Sequence, residues 1–587
     1  MTALRLLVLL CLLIGARPVG ASAGGAVLWI GDEQTAFELA RDERRFVLLY
    51  LEAVWCHWCH VMDAQTYADA DVAGAIARDY VPLRIDQDAR PDLANRYRDY
   101  GWPATIVFDA QGREIVKRQG FIAPAPMRRL LQAIVDDPRP ENVARVESAT
   151  AAVASTLDPA VRSELERRHR DSYDAARGGL RLAQKYLDRD SVEYALTRGA
   201  QGEDVERARA VQTLDAATAL LDPVWGGVYQ YSTGGDWQRP HFEKLATRQA
   251  EYLRTYAFAY ALGGEPRYLR TAQAIRDYVE RFLAAPEGGY YASQDADLRP
   301  GEHSADYFAL DDAARRARGV PRVDPHRYAH PSAAMIEAYA YLYEVAGDAA
   351  ALAAAERTAR WLLDERARAD GGFRHDAVDP GGPFLADTLA AGRAFLQLYR
   401  VSGERAWLQH ASAAADFIDA NFRAPSGFVG GATGQGPIAP VAQLDENLSL
   451  ARFANLLRHY SGAPRHAALA RHALAHLAAR EVALSRLTEA GLLLADAESN
   501  RDPLHLTVVG AKDDAAAAAL FAATLRLPAL YKRLDWWDPA ESPLPNPDVK
   551  YPPVRRAAAF VCTQKRCSLP IREPEQLAQF LREDAAG

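Results

Sequence analysis

The sequence predicts a multidomain α/β + α chain: a small α/β domain, a long array of helical hairpins, and a short α/β module at the end. Three observations carry this. Residues 55–60 read Trp-Cys-His-Trp-Cys-His directly after the apolar run 46–51, a strand running into a helix that opens on a Cys-x-x-Cys pair. Further on, Gly-to-Gly intervals of 24 residues recur, from Gly264 to Gly288, Gly347 to Gly371 and Gly403 to Gly427. From residue 502 the pattern returns to short apolar strands around one Ala-rich helix.

The first domain is read as a helix over 32–41, the strand 46–51, the Cys-x-x-Cys helix and a helix over 71–79. A strand over 81–85, a strand over 104–108 ending on the turn 109–112, a strand over 114–118 and a helix over 126–135 complete it. The Pro-rich stretch 136–140 is a linker. Cys56, at the helix start, is the expected nucleophile: exposed, with its thiolate favoured by the helix dipole and by His57. Cys59 lies one turn inside and is placed to resolve a mixed disulfide. Pro103 opens the strand after Trp102 and, if its bond is cis, gives a substrate peptide a backbone edge to pair with. Trp55 and Trp58 would shape the partner surface. Tyr50 stands where many such domains carry a buried acid, so proton transfer to Cys59 falls to Glu52, Asp86 or water. This is a thioredoxin-like reading.

Two other chemistries fit the same six residues. Cys56 to His60 also matches the C-x-x-C-H haem pattern, but a strand precedes it and the segment offers only Met62 and Met127 as a further Met ligand. Two Cys and two His suit zinc or copper, yet four ligands within five residues close a tetrahedron poorly. No metal and no organic cofactor is therefore expected.

At 587 residues the chain needs several domains, and 49% apolar with 25% charged residues is a soluble globular balance. The net charge of −8 argues against nucleic acid or an acidic membrane surface as partner. Arg5, the apolar run 6–14 and Ala21-Ser-Ala23 read as a signal peptide over 1–23, and no later run is long enough for a stable membrane span. The remaining cysteines form two close pairs, as suits an oxidising, periplasmic or secreted setting. Cys562 and Cys567 flank an expected turn over 563–566 and are expected to form a local disulfide.

The 24-residue intervals alternate with apolar-periodic helices over 251–262, 333–346 and 386–401, giving a helical hairpin of about 55–60 residues. About six such hairpins either stack openly or close into a double ring, and long aromatic and acidic loops on one side favour closure. Inner helices are expected to be apolar nearly all round. Residues 297–325 lengthen one repeat and read as a loop or lid. Domain limits follow at 24–140, 141–500 and 501–587, the last with strands near 504–510 and 557–562 and helices near 513–525 and 574–582.

Trp55-Cys-His-Trp-Cys-His-Val-Met62, Asp86 to Pro91, Gly101-Trp-Pro103, Trp237 to Lys244, Ser293-Gln-Asp-Ala-Asp297 and Val561 to Cys567 occur together and in this order. With them the chain resembles the spermatogenesis-associated protein 20 family, over nearly all of its length after residue 23. The resemblance implies a thioredoxin-like domain fused to an (α/α)6 toroid similar to those of N-acylglucosamine 2-epimerases and several glycosidases. It fixes fold better than reaction. The chain departs from the pattern where Leu245 to Gln249 replaces Met-Leu-Tyr-Asp-Asn, and where Tyr100 precedes Gly101.

The toroid has the composition of a sugar site: Trp225, Tyr229, Tyr231 and Trp237 for stacking, with Glu243, Asp295, Asp297, Asp387, Asp445 and Glu446 as carboxylates. His241 or His375 would be proton-transfer groups of an epimerase. Aromatics in such turns also pack hairpins, and acids after loops also cap helices. Trp237, His241, Glu243, Asp295 and Asp297 are expected to gather on one rim. Two functions follow: an exported thiol–disulfide oxidoreductase with a protein thiol or disulfide partner, whose toroid selects or holds substrate, or a carbohydrate-active or carbohydrate-binding toroid with a regulatory thioredoxin module.

Overall fold

A computed structural model describes residues 26–141 and 156–579, apart from 380, 433, 435, 564, 565 and 578. The expected signal peptide lies outside these residues, and the helix expected over 574–582 leaves them after its first turn.

The first domain runs α1 (Glu33–Glu43), β1 (Phe46–Glu52), α2 (His57–Met62), α3 (Ala70–Asp79), β2 (Tyr80–Asp86), α4 (Pro91–Tyr97), β3 (Ala104–Phe108), β4 (Glu114–Gln119) and α5 (Pro124–Asp136). Its sheet has the order β2-β1-β3-β4, with β1 parallel to β2 and antiparallel to β3. Helices cover both faces, which is why β1 is apolar at nearly every position rather than alternating. Val47, Leu49 and Leu51 pack with Phe37 and Leu93 on one side, and Leu48 and Tyr50 with Trp55 and Leu131 on the other. α4 goes beyond the elements expected from the sequence: Pro91 at its first turn, with φ already set for a helix, starts it.

The hairpins follow α6 (Pro159–Ser172): α7 (Arg189–Ala200) with α8 (Asp204–Ala217), then α9 (Ala246–Gly263) with α10 (Pro266–Phe282). Short strands β5 (Tyr231–Ser232), β6 (Pro240–His241), β7 (Lys244–Leu245), β8 (Ser293–Gln294) and β9 (Val323–Asp324) and helices α11 (Ala305–Phe308) and α12 (Asp312–Arg318) lie in the connections. Then come α13 (Ala329–Ala346) with α14 (Ala349–Glu365), α15 (Leu385–Ser402) with α16 (Arg405–Phe422), α17 (Leu444–Ser461) with α18 (Pro464–Leu477), short α19 (Arg480–Ala483), and α20 (Ala490–Ser499). α7, α9, α13, α15, α17 and α20 touch in that order, and α20 returns to α7. The inner ring is therefore closed, and α6 packs on α20 as the sixth outer helix. The repeated glycines have a physical task. Gly264, Gly347, Gly403 and Gly462 cap α9, α13, α15 and α17 in the left-handed conformation, each donating its N–H to a carbonyl of the last turn.

The final module is β10 (Leu504–Val509), α21 (Ala515–Arg526), β11 (Lys532–Trp537) and β12 (Ala558–Cys562), in the sheet order β11-β10-β12. Its apolar residues share one core with the toroid, and the Tyr399 hydroxyl donates to Asp535 at 2.7 Å. Because the inner helices run in one sense, the ring has two unlike ends. The module sits on the end where they finish, beside Gly403 and Gly462. The thioredoxin-like domain sits where they begin: Asn95 donates to Glu446 at 3.0 Å, and the Ile438 N–H donates to Glu33 at 2.9 Å.

The lumen corrects the expectation of apolar inner helices. Each inner helix contributes a charge to it: Glu193, Arg254, Glu337, Arg393, Arg452 and Glu498. Arg393 meets Glu337 at 2.9 Å, and Arg452 meets Glu193 at 2.5 Å and Glu498 at 2.7 Å, so the belt is ion-paired. These residues border a cavity of about 380 Å³ that Asn95 and Arg98 line at one end and Tyr531 and Lys532 at the other.

Candidate functional site

Cys56 and Cys59 form a disulfide at the start of α2. Cys56 caps the helix, its sulfur accepting the Cys59 N–H at 3.1 Å. The Trp102–Pro103 bond is cis. Tyr50 lies beneath the motif, fully buried, and its hydroxyl donates to the Cys59 carbonyl at 3.1 Å. The acids named as proton routes are otherwise engaged. Glu52 pairs with Arg84 at 2.8 Å, and Asp86 caps the turn that follows β2. The expectation of an exposed Cys56 fails: it is 3% accessible, and only Trp58 of the motif is well exposed.

The toroid supplies the side chains facing α2. The connection after β8 brings Asp297 to both histidines, meeting His57 Nδ1 at 2.9 Å and His60 Nδ1 at 3.2 Å. His60 Nε2 donates to the Val54 carbonyl at 3.0 Å, and the Gly301 N–H donates to Asp297 at 2.7 Å. The hydrogen bond to Asp297 raises the pKa of His57, although burial opposes it. Burial likewise opposes protonation of His60, but Asp297 and Asp295 outweigh it and the net shift is upward. Burial also works against the Asp297 carboxylate, yet the two imidazoles hold its pKa at about 2. Asp297 thus favours the charged form of His57, next to Cys56 in the sequence, and that form favours a thiolate over a thiol.

Glu243 and Asp295 complete the cluster. Lys244 pairs with Gln294 across β7 and β8, so Glu243 and Asp295 are the next opposed positions. Burial pushes Asp295 up to about 6, and burial with the two neighbouring aspartates pushes Glu243 up to about 7. His241 stacks on Tyr231 at 4.4 Å, and burial with nearby His57 lowers its pKa to about 4. Four of the five toroid residues named from sequence thus lie close to the Cys-x-x-Cys helix rather than around a separate pocket. Trp237 does not join them in this role: it is buried, packs against Gly179 and donates its indole N–H to the Arg177 carbonyl at 2.9 Å.

Other sugar-site candidates are structural. Trp225 and Tyr229 are buried, with the Lys244 ammonium within 6 Å of both rings. Lys244 and Arg315 both pair with Asp222 at 2.7 Å, and all three side chains are sealed from solvent. Arg315 belongs to α12, so residues 297–325 form a strap anchored in the core rather than a free lid. His375 donates from both ring nitrogens, to Asp387 at 2.8 Å and to the Asp88 carbonyl at 2.7 Å, and has none left for proton transfer. Asp445 pairs with Arg98 and Arg486. Sequence reasoning missed Asp88, whose carboxylate accepts the Trp55 indole N–H at 2.7 Å; its only signal was the Asp86-Gln-Asp88 string.

A family model named Thioredox_DsbH, described as a protein of unknown function, DUF255, matches residues 20–136. Spermatogenesis-associated protein 20 of Homo sapiens is 27% identical over 311 residues, covering 46% of this chain and 39% of that protein. The thiol:disulfide interchange protein DsbD of Ralstonia nicotianae is 38% identical over 97 residues, 16% of each chain. Over the 311 residues matched, the chain is similar to spermatogenesis-associated protein 20. It spans about two fifths of the length of the human protein. Among solved structures, a sugar epimerase from a ruminal bacterium is 14% identical with a TM-score of 0.42, covering 54% of this chain and 86% of that one. A family 76 glycoside hydrolase from a bovine Bacteroides thetaiotaomicron strain is 13% identical with a TM-score of 0.41, covering 67% and 82%. The chain carries a thioredoxin-like domain, matched by the Thioredox_DsbH model, docked on a six-hairpin ring. Among the described residues no helix is long and apolar enough to cross a membrane.

Proposed function

We propose that the chain is an exported thiol–disulfide oxidoreductase, periplasmic or secreted, whose toroid completes the redox site and holds the protein substrate against it. The observation that carries this is the pair Cys56–Cys59 at a helix start with His57 fixed by Asp297 of the toroid. With the pair reduced, the Cys56 thiolate attacks one sulfur of a partner disulfide, and the other sulfur leaves as a thiolate that takes a proton. The Cys59 thiolate then attacks Cys56 in the mixed disulfide and releases the second partner thiol. Two electrons pass from the chain to its partner, and the reverse sequence oxidises a partner dithiol. Export is supported by the leader-like residues 1–23 and by the two cysteine pairs.

The test is alkylation of the reduced full-length protein at pH 6.5, read by peptide mass. Cys56 is expected to react well before Cys59, and His57→Ala to slow Cys56 about tenfold, as loss of one neighbouring cation raises a thiol pKa by about one unit. Equal labelling of both thiols, unchanged in His57→Ala, would reject the reading.

The cavity of about 380 Å³ supports a second reading, in which the toroid binds a small polar ligand such as a carbohydrate. A glycan-array screen beside an insulin-reduction assay separates the two.

A further inference from the structure

The seam between α2 and the toroid holds a donor set that neither domain has alone. One ligand atom from each of His60, Asp295 and Asp297 lies within 4.8 Å of the others. The Val54 carbonyl accepts from His60 Nε2, so Nδ1 is the nitrogen left to face Asp297: it carries a proton in the charged ring, and a lone pair open to an ion once that proton is lost. That nitrogen faces Asp297 Oδ2 at 3.2 Å. Two acceptors at this distance repel unless a proton or a cation lies between them. A second observation is independent of these three residues. Glu243 is 3% accessible, its Oε2 meets no partner among the described residues, and the strand register sets it opposite Asp295. A buried, unpartnered carboxylate oxygen beside two aspartates is costly unless positive charge meets it.

We propose that this seam binds one divalent first-row transition-metal ion through His60, Asp295 and Asp297, with Glu243 as the fourth group. Mixed imidazole and carboxylate donors suit borderline-to-hard ions such as zinc and manganese, and disfavour copper(I), which seeks thiolate or thioether. The supporting contacts are those of a ligand shell held from outside. Val54 orients the His60 ring, while the Gly301 N–H and His57 Nδ1 hold Asp297. Cys56 and Cys59 are joined to each other and are not ligands in this assignment. The inference does not rest on the redox reading, because His60, Asp295 and Asp297 converge, with Glu243 opposite Asp295, whether or not the cysteines react.

The test uses the full-length protein in its oxidised state, stripped with a chelator and titrated separately with zinc and manganese chlorides. Calorimetry, metal content by mass spectrometry and Tm are recorded. One ion per chain is expected, with a rise in Tm, and Asp297→Asn and His60→Gln should each weaken binding by about ten- to a hundredfold. Glu243→Gln should weaken it less, and a Cys56→Ser/Cys59→Ser variant should bind one ion as before. Circular dichroism of each variant identifies any that fails to fold, and the remaining ligand variants then decide. The proposal is overturned if neither ion binds stoichiometrically. It is equally overturned if the folded ligand variants bind as the parent does, or if the double serine variant loses the ion.

Discussion

His375 of the toroid donates through Nε2 to the backbone carbonyl of Asp88 in the thioredoxin-like domain, while its Nδ1 donates to Asp387. A ring that donates twice is an imidazolium. Burial opposes that charge, but Asp387 and the Asp88 carbonyl lift the pKa to about 9. The contact therefore joins the two domains through a proton.

Its pH dependence follows in sign. The folded value lies above the ordinary imidazole value, so the stabilisation is complete below about pH 6.5 and is lost as pH rises through about 9. A shift of this size corresponds to roughly 3 kcal/mol. Urea unfolding of the parent and of His375→Gln should differ by about that amount at pH 6 and converge by pH 9.5. A gap that stays constant over this range would remove the imidazolium from the account.

Docking can be tested without touching a charge. A Cβ on Gly112, whose φ is +84°, would lie 2.6 Å from the Pro437 carbonyl oxygen of the toroid, whereas one on Gly120, with φ +69°, meets nothing. Gly112→Ala should cost about 1–3 kcal/mol more than Gly120→Ala, since both carry backbone strain and only the first carries the clash. Thermal unfolding of the two variants side by side is the measurement; equal losses would mean the domains do not meet there in solution.

Asp222 is the sealed anion between Lys244 and Arg315. Asp222→Asn leaves two buried cations without their carboxylate and should destabilise by about 3–5 kcal/mol. Adding Lys244→Met should return part of the loss, because one of those cations is then gone. A double-mutant cycle showing simple additivity would contradict the shared pairing.

The Cys562–Cys567 disulfide closes a short loop, for which chain entropy gives about 2 kcal/mol. Cys562→Ser/Cys567→Ser should unfold earlier by that order and leave insulin reduction unchanged. A loss of turnover instead would make the pair a second redox centre.

Much of the architecture was legible because glycine and proline punctuate it. The 24-residue intervals mark the span from a helix-capping glycine to the next turn, and four such caps appear at Gly264, Gly347, Gly403 and Gly462. Strand β11 was not legible. Lys532, Arg533 and Asp535 disguise it as surface, and they are buried only because Glu344, Asp548 and Tyr399 meet them. The lumen charges were hidden for the same reason: Arg452 finds Glu193 only once the ring is closed. At the redox motif the residue types were readable and their partners were not. His57 and Asp297 are 240 positions apart, and nothing local to either announces the other.

The pairing of α6 with α20 has a consequence for the order in which the protein is made. The apolar side of α6, with Val161 and Leu165, is covered by a helix that begins at Ala490, some three hundred residues later in the chain. At about 5–20 residues per second of synthesis, the nascent ring spends roughly 15–60 s with its first helix exposed and its seam open. The thioredoxin-like domain, complete by Asp136, can fold long before that. Throughout that interval the apolar side of α6 waits for the helix that covers it.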